Sequence, residues 1–214
     1  MENKFKQVIK RADIISYYFY MRIANILLRL IYKTNITPNI VTLFSIIIGI
    51  ISGVAFAFHL TIIGILLFTL AYTLDCLDGQ LARFHNLHSE FGLWFDNTGD
   101  RITEVAVIIG LSIGYLEHMI LSSILVGLTL IYWYGQDILY HQNRLKGINK
   151  HYKGKLFILK LLSPFLSKGT TVLLLSLSPL LNIEYIFIFY IFIYIIKIPE
   201  LIILEYKNQE NLKG

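Results

Sequence analysis

The chain has 214 residues, of which 56% are hydrophobic and only 15% are charged, and its formal net charge is +5. Soluble domains usually carry about 25% charged residues, so this composition excludes a disordered chain and argues against a soluble single-core enzyme. Cys76 is the only cysteine, which excludes an intrachain disulfide framework and a zinc site built from cysteines. We therefore expect an integral membrane protein, whose excess positive charge reports orientation and contact with anionic lipids rather than binding to nucleic acid.

Residues 1–36 are expected to form an N-terminal amphipathic helix that lies in the membrane interface. Apolar residues recur there at helical spacing, on the face opposite lysines and Asp13. They are Phe5, Val8, Ile9, Ala12 and Ile15. A membrane span is disfavoured because Arg22 and Arg29 would each cost roughly 3 kcal/mol near the bilayer centre. The helix either only anchors the chain or also lines a lipid entrance, and Thr37-Pro38-Asn39 is expected to end it.

Residues 37–214 are expected to form one domain of six transmembrane helices, because the remaining apolar stretches approach the length of about 20 residues that a span needs. The second and third stretches reach this length only with their polar ends included. The predicted spans lie near residues 39–57, 60–83, 92–115, 117–140, 156–181 and 184–206. The sequence thus predicts an all-α, multi-pass membrane protein.

Basic residues alternate between the connections of these spans. They occur in the N-terminal arm, at Arg83 and Arg101 beside the loop between spans two and three, in the connection from span four to span five, and in the tail. The opposite loops, near residues 59, 117–118 and 182–184, contain no lysine or arginine. Since cytoplasmic loops are enriched in these residues, both termini and the loop between spans two and three should face the cytoplasm.

Four aspartates stand at helical spacing on either side of that loop. Asp75 and Asp78 are three residues apart at the end of span two, and Asp96 and Asp100 are four residues apart at the start of span three. Each pair falls on one face of its helix. The intervening segment 84–91 is long enough for a turn that joins two antiparallel helices. The four carboxylates are therefore predicted to converge near the cytoplasmic interface.

Such a group of carboxylates needs a cation, because unpaired charges of one sign repel and desolvate poorly in a medium of low dielectric constant. Arg83 and Arg101 are the only basic residues nearby in sequence. Ligands that are all oxygen atoms point to Mg²⁺ or Mn²⁺, and four carboxylates have the capacity for two ions. Gly79 and Gly92 would let a ligand approach the backbone, and Arg83 offers a planar fork for phosphate. The alternative is a solvated helical hairpin that happens to be acidic.

Residues 75–100 carry a recognisable pattern. They read Asp-Cys-Leu-Asp-Gly-Gln-Leu-Ala-Arg, then eight residues, then Gly-Leu-Trp-Phe-Asp-Asn-Thr-Gly-Asp. The segment resembles the signature of the CDP-alcohol phosphotransferases, D-x2-D-G-x2-A-R-x8-G-x3-D-x3-D, at all eight fixed positions. The family's architecture, six spans after an interfacial helix, agrees with the topology predicted above. Thr37-Pro38-Asn39 and Thr42 also resemble a family element that opens the first span.

The resemblance implies an enzyme of phospholipid biosynthesis that transfers a substituted phosphate group from a CDP-linked alcohol, often CDP-diacylglycerol, to an acceptor alcohol and releases CMP. By similarity, four aspartates lie at the divalent ions, and Asp100 also acts as general base on the acceptor hydroxyl. The implied metal ligands are Asp75, Asp78, Asp96 and Asp100. The residues implied to contact the CDP moiety are Asn39, Gly79, Ala82, Arg83 and Gly92. The resemblance also favours a homodimer, with small residues of spans three and four allowing close contact. These residues are Gly110, Ser112, Gly114, Ser122, Ser123 and Gly127.

Several polar residues keep two interpretations. His85 and His88 are either exposed loop residues or phosphate contacts, and Lys197 either reaches the interface or faces the bundle interior. Glu104 is expected to pair with Arg101 or with a basic residue across the bundle. Arg144 is the one arginine at the cytoplasmic end of span four, where family members that use phosphorylated acceptors tend to carry two. The acceptor alcohol, small or lipid, is therefore not specified.

Two other functions use acidic residues in membranes. An intramembrane prenyltransferase also binds Mg²⁺ through paired aspartate motifs, but those motifs lie far apart in sequence on chains with more spans. A cation transporter could use carboxylates as ligands, but such folds often contain repeated halves with a broken helix in each. Here both motifs fall within one hairpin, and no second acidic hairpin occurs in the sequence.

Overall fold

The computed structural model describes residues 2–8, 15–115, 119–145 and 167–210, and within these ranges every regular element is helical. The helices are α1 (Glu2–Gln7), α2 (Met21–Ile31), α3 (Pro38–Ala57), α4 (Thr61–His85), α5 (Glu90–Tyr115), α6 (Met119–Leu145), α7 (Lys168–Leu177) and α8 (Ile183–Glu210). A π-helical turn, Ser16–Tyr20, precedes α2, and a 3-10 turn, Ser178–Leu180, follows α7. The predicted all-α class is confirmed.

In the described part of the chain, three helices are long and apolar enough to cross a membrane. They are α3, α4 and the part of α8 over Ile183–Ile203, and α6 contains a shorter apolar stretch, Ile120–Gln136. These helices make the chain an integral membrane protein. The predicted count of six spans is not reached by this criterion, because α5 begins with the polar segment of the motif and part of the predicted fifth span, residues 156–166, lies outside the described residues.

Helix boundaries in the first half follow local backbone chemistry. Thr37 is extended and Pro38 is the first residue of α3, where its missing amide hydrogen costs nothing. Thr37 occupies the N-cap position of α3 without a side-chain capping hydrogen bond. Asn86 ends α4 in the left-handed conformation, with φ of 57°, and the Leu87 amide donates to the Ala82 carbonyl at 2.9 Å. Ser89 then accepts from the Gly92 amide at 2.9 Å and caps α5.

Helix α3 packs closely along both α4 and α5. Its contact with α5 runs through glycines, since a side chain at Gly110 would collide with the carbonyl of Gly53 and one at Gly114 with the carbonyl of Phe56. Its contact with α4 includes hydrogen bonds from Ser45 to the Ala71 carbonyl at 2.8 Å and from Ser52 to the Gly64 carbonyl at 2.9 Å. Gly110 and Gly114 therefore serve packing within the chain, and the sequence argument that placed them at a dimer interface does not hold for these two positions.

The N-terminal segment is docked on α4. Phe5 stacks on Phe84 with ring centroids 4.9 Å apart, and Asn25 donates to the Phe5 carbonyl at 2.8 Å. Gln80 in turn donates to the Met21 carbonyl at 2.8 Å. Phe5 and Val8, predicted on the apolar face, are buried, whereas Ile9 and Ala12 lie outside the described residues. Interfacial placement of this segment, and the division of the chain at residue 37, stay predictions.

The helices fall into two compact units. The first draws on Met1–Glu117 and Ser167–Ile183, and the second on His118–Leu166 and Glu184–Gly214. Within the second unit, Tyr132 packs against Tyr194 with ring centroids 5.4 Å apart. Lys197 is buried there and pairs with Glu200 at 2.9 Å, so the interior interpretation of this lysine is the one the structure supports.

Candidate metal centre

Asp75 and Asp78 lie on α4 directly after its apolar half. Asp78 is 4% exposed and accepts a hydrogen bond from the Thr42 hydroxyl at 2.5 Å. Thr42, on α3, is itself 5% exposed and also approaches the Pro38 carbonyl at 3.1 Å. Sequence reasoning noted Thr42 only as part of the element that opens α3. The structure gives it a specific contact, which orients the Asp78 carboxylate toward the interior of the first unit.

Asp96, on α5, meets the two aspartates of α4. The carboxylates of Asp75, Asp78 and Asp96 each offer a ligand atom, and these atoms all lie within 4.8 Å of one another. This spacing and an all-oxygen donor set fit a hard divalent cation such as Mg²⁺ or Mn²⁺. The predicted convergence of α4 and α5 carboxylates is thus present for three of the four aspartates.

Asp100 lies beside this group and is joined to it through Lys168. The Lys168 ammonium is 2.7 Å from Asp75 Oδ2, forms a second ion pair with Asp100 Oδ1, and stands over the Tyr72 ring at 5.1 Å from its centroid. The four carboxylates and this ammonium are called the acidic cluster below. The sequence-based expectation that only Arg83 and Arg101 are available as local cations is wrong, because the fold brings in Lys168 from α7, 93 residues after Asp75.

Arg101 and Glu104 form the pair expected from the sequence. Arg101 Nη1 donates to Glu104 Oε2 at 2.9 Å, and Arg101 Nη2 lies 3.6 Å from Asp100 Oδ2. Arg101 therefore touches two acidic residues of its own helix. Glu104 contacts a cation rather than the group of three carboxylates, which agrees with its exclusion from the predicted ligands.

The residues expected to contact a CDP moiety line the same end of α3, α4 and α5. A Cβ atom at Gly92 would lie 3.3 Å from the Asn39 side-chain oxygen, so these two predicted residues are neighbours. A Cβ atom at Gly79 would lie 3.2 Å from an Arg83 nitrogen, which makes Gly79 and Arg83 neighbours as well. Arg83 Nε donates to the Val8 carbonyl at 2.8 Å, so the docked N-terminal segment fixes one edge of its guanidinium group. No feature of the sequence predicts this contact between Arg83 and Val8.

The other residues considered in the sequence analysis lie at or just after the end of α4, or their side chains lie outside the described part of the chain. Ala82 is half-buried, and its carbonyl closes the end of α4. His85 and His88 are exposed, as expected of loop residues. Arg144 belongs to α6, but its side chain lies outside the described part of the chain, as do Lys146, Lys150, Lys153 and Lys155.

Comparison with known proteins connects this geometry to one family. The sequence model of the CDP-alcohol phosphatidyltransferases matches residues 35–201. An uncharacterized protein of Aquifex aeolicus is 33% identical over 101 residues, 47% of this chain and 51% of its own length. An archaetidylinositol phosphate synthase of Pyrococcus horikoshii is 32% identical over 82 residues, 38% of this chain and 44% of its own. The chain thus spans about half the length of the curated relatives it matches.

The fold is shared with a phosphatidylinositol phosphate synthase of Mycobacterium tuberculosis. Its crystal structure with CDP-DAG bound superposes with a TM-score of 0.62 and 18% identity, over 86% of this chain and 92% of that one. A second structure of the same protein, in complex with manganese and citrate, superposes with a TM-score of 0.60 and 18% identity, over 86% and 87%. At this identity the likeness concerns the fold.

Proposed function

Because the chain belongs to the CDP-alcohol phosphatidyltransferase family, we propose that it transfers a substituted phosphate group from a CDP-linked alcohol to an acceptor alcohol and releases CMP, as a step of phospholipid biosynthesis. The observation that carries this proposal is the group of three carboxylates within 4.8 Å, contributed by the two helices that bear the family motif. The same two helices also carry Gly79, Gly92 and Arg83 of the motif, and Arg83 lies next to Gly79.

Asp75, Asp78 and Asp96 are the proposed ligands of the divalent cation. Their donor set suits Mg²⁺ and Mn²⁺ alike, and with Asp100 it has the capacity for two ions. A bound divalent cation would neutralise the diphosphate and so make CMP a better leaving group. Similarity to the manganese complex of the Mycobacterium tuberculosis protein supports this assignment.

Asp100 is the proposed general base for the acceptor hydroxyl. It stands one turn beyond Asp96 on α5 and pairs with Lys168 and Arg101. An alcohol is a weak nucleophile, and a carboxylate within hydrogen-bond reach helps to remove its proton. Arg101, at 3.6 Å, and Lys168 are the cations that pair with this carboxylate.

The donor's CDP moiety is proposed to lie over Asn39, Gly79, Ala82, Arg83 and Gly92. Gly79 and Gly92 have no side chain between the helix backbone and the neighbouring Arg83 and Asn39 side chains, and Arg83 provides charge for the diphosphate. CDP-diacylglycerol is the proposed donor, since the structurally similar Mycobacterium tuberculosis protein binds CDP-DAG. The acceptor is a small or lipid alcohol, and inositol phosphate belongs among those tested because one relative is named an archaetidylinositol phosphate synthase and one structural neighbour a phosphatidylinositol phosphate synthase.

The proposed topology has six membrane spans after an interfacial N-terminal helix, with both termini and the acidic cluster on the cytoplasmic side. Arg83 supports this orientation, because it lies in the last turn of α4, beside the connection to α5. A homodimer is proposed from the resemblance to the family. Its test is the mass of the protein in mild detergent together with crosslinking in membranes, and a monomer in both would contradict it.

The activity can be tested with purified protein, CDP-diacylglycerol, Mn²⁺ and a panel of acceptor alcohols, with mass spectrometry of the lipid product. We expect CMP release that depends on one acceptor and stops in excess chelator. Asp75→Asn and Asp96→Asn should reduce turnover by several orders of magnitude while the protein still inserts, because each removes a metal ligand. A variant that keeps more than about a tenth of the wild-type rate, a loss of about 1.4 kcal/mol, would contradict the ligand assignment.

A further inference from the structure

Lys168 places a positive charge inside the acidic cluster. It is the first residue of α7, its side chain is 30% exposed, and its ammonium pairs with carboxylates from both α4 and α5. The Tyr72 ring covers one side of the same ammonium. Tyr72 is itself held by a hydrogen bond between its hydroxyl and that of Ser16, at 2.6 Å. The ammonium is therefore fixed among partners from several elements of the first unit.

Charge balance gives this contact a consequence for cation binding. Four ionised aspartates carry four negative charges, and Lys168 offsets one of them. Two divalent ions alone would balance all four carboxylates, so Lys168 would leave one positive charge in excess. A carboxylate has enough lone pairs for two partners, so Asp75 has room for both an ammonium and a metal ion. The conflict is electrostatic, because two cations held a few ångströms apart repel each other strongly in a protein interior.

We propose that Lys168 is a built-in counter-ion that holds Asp75 and Asp100 in the metal-free protein and is displaced from Asp75 when the divalent cation binds. The inference rests on the metal site of the proposed function. Lys168 then has two effects of opposite sign. It stabilises the empty cluster by reducing repulsion among the carboxylates, and it weakens metal binding by competing for the same negative charge.

Lys168→Met removes the ammonium and keeps a long apolar stem. Mn²⁺ binding to purified, metal-free protein, followed by the electron paramagnetic resonance signal of free Mn²⁺, should become about tenfold or more tighter, which corresponds to at least ~1.4 kcal/mol. The metal-free variant should also unfold at lower temperature than wild type and gain more from added Mn²⁺. Lys168→Arg keeps the charge and should bind Mn²⁺ as wild type does.

Lys33→Met is the matched control. Lys33 is an exposed lysine of the same unit, over the Tyr32 ring at 5.6 Å, and its replacement changes the net charge by the same amount. It should leave Mn²⁺ affinity at the wild-type value. Equal or weaker Mn²⁺ binding by Lys168→Met than by wild type would overturn the proposal. Absence of Mn²⁺ binding in every variant would instead overturn the proposed metal site and this inference with it.

The wild-type protein provides a second measurement, which decides the matter if Lys168→Met does not fold. Displacement from Asp75 removes one of the two carboxylate partners of the Lys168 ammonium, so labelling by an amine-reactive reagent should rise when Mn²⁺ is added. Peptide mass spectrometry can quantify this labelling, with Lys33 as an internal reference whose reactivity stays constant. Labelling of Lys168 that is the same in chelator and in saturating Mn²⁺ would overturn the displacement.

Discussion

The hydrogen bond from Thr42 to Asp78 is the contact through which α3 acts on the acidic cluster. The donor and acceptor oxygens are 2.5 Å apart, and the two residues are 5% and 4% exposed. Thr42→Val replaces the hydroxyl with a methyl group of similar size. The substitution therefore removes the hydrogen bond and leaves the packing of α3 nearly unchanged.

The expected loss follows from the charge of the acceptor. A hydrogen bond to a charged group contributes about 1.5–3 kcal/mol, and removal of one partner leaves the buried carboxylate without this compensation. This range corresponds to roughly a ten- to 150-fold change in an equilibrium constant. Residues that orient metal ligands typically affect metal affinity or activity by about 10–100-fold, which is consistent with this estimate.

The assay is turnover of the CDP-alcohol as a function of Mn²⁺ concentration. Thr42→Val should need about ten- to 150-fold more Mn²⁺ for half-maximal rate, and excess Mn²⁺ should restore most of the activity, because the ligand itself is still present. Thr42→Ser keeps the hydroxyl and is the matched control, which should stay close to wild type.

A particular result would refute this reasoning. If Thr42→Val shows the wild-type Mn²⁺ dependence and the wild-type rate, the hydroxyl does not orient a metal ligand. If Thr42→Ser, which keeps the hydroxyl and lacks only the methyl group, loses as much as Thr42→Val, loss of the hydrogen bond does not by itself account for the effect.

Two further predictions concern packing and catalysis. Gly110→Ala should destabilise the protein by about 1–3 kcal/mol and lower its temperature of thermal unfolding, because the new methyl group would collide with the backbone of Gly53. Gly127→Ala should be neutral or stabilising, since no described atom lies within 4 Å of the position that its new methyl group would take. Equal effects of the two substitutions would contradict the close contact of α3 and α5. Asp100→Asn should keep Mn²⁺-dependent donor binding and lose transfer, whereas Asp78→Asn should weaken donor binding itself, as titration of CDP-diacylglycerol can show; equal loss of binding would mean that Asp100 is primarily a ligand.

The predictable part of the site was local in sequence. Asp75 and Asp78 are three residues apart, and an apolar helix was expected on either side of a short turn. These two features were enough to predict that carboxylates of α4 and α5 meet. The structure groups Asp75, Asp78 and Asp96 accordingly. Thr37-Pro38-Asn39 likewise marked the start of α3, because proline at the first helical position loses no hydrogen bond.

The parts that the sequence did not predict depend on distant contacts. Lys168 lies within the predicted fifth span, residues 156–181, far from the motif in sequence, and only the tertiary fold places it between Asp75 and Asp100. The docking of Phe5 on Phe84 is equally remote, since an amphipathic pattern does not say whether its apolar face meets lipid or protein. Hydropathy alone also does not decide whether α5 spans the membrane, because the polar motif occupies the first turns of this long helix.

Binding of CDP-diacylglycerol to the purified protein, measured with and without Mn²⁺, tests the central claim most directly. A metal-dependent CDP-alcohol site requires binding that appears with Mn²⁺, disappears in chelator and is lost in Asp96→Asn, whose ligand atom belongs to the group of three carboxylates. A prenyltransferase or a cation transporter has no reason to recognise cytidine. Binding that is unchanged in chelator and in Asp96→Asn, or no binding under either condition, would contradict the account.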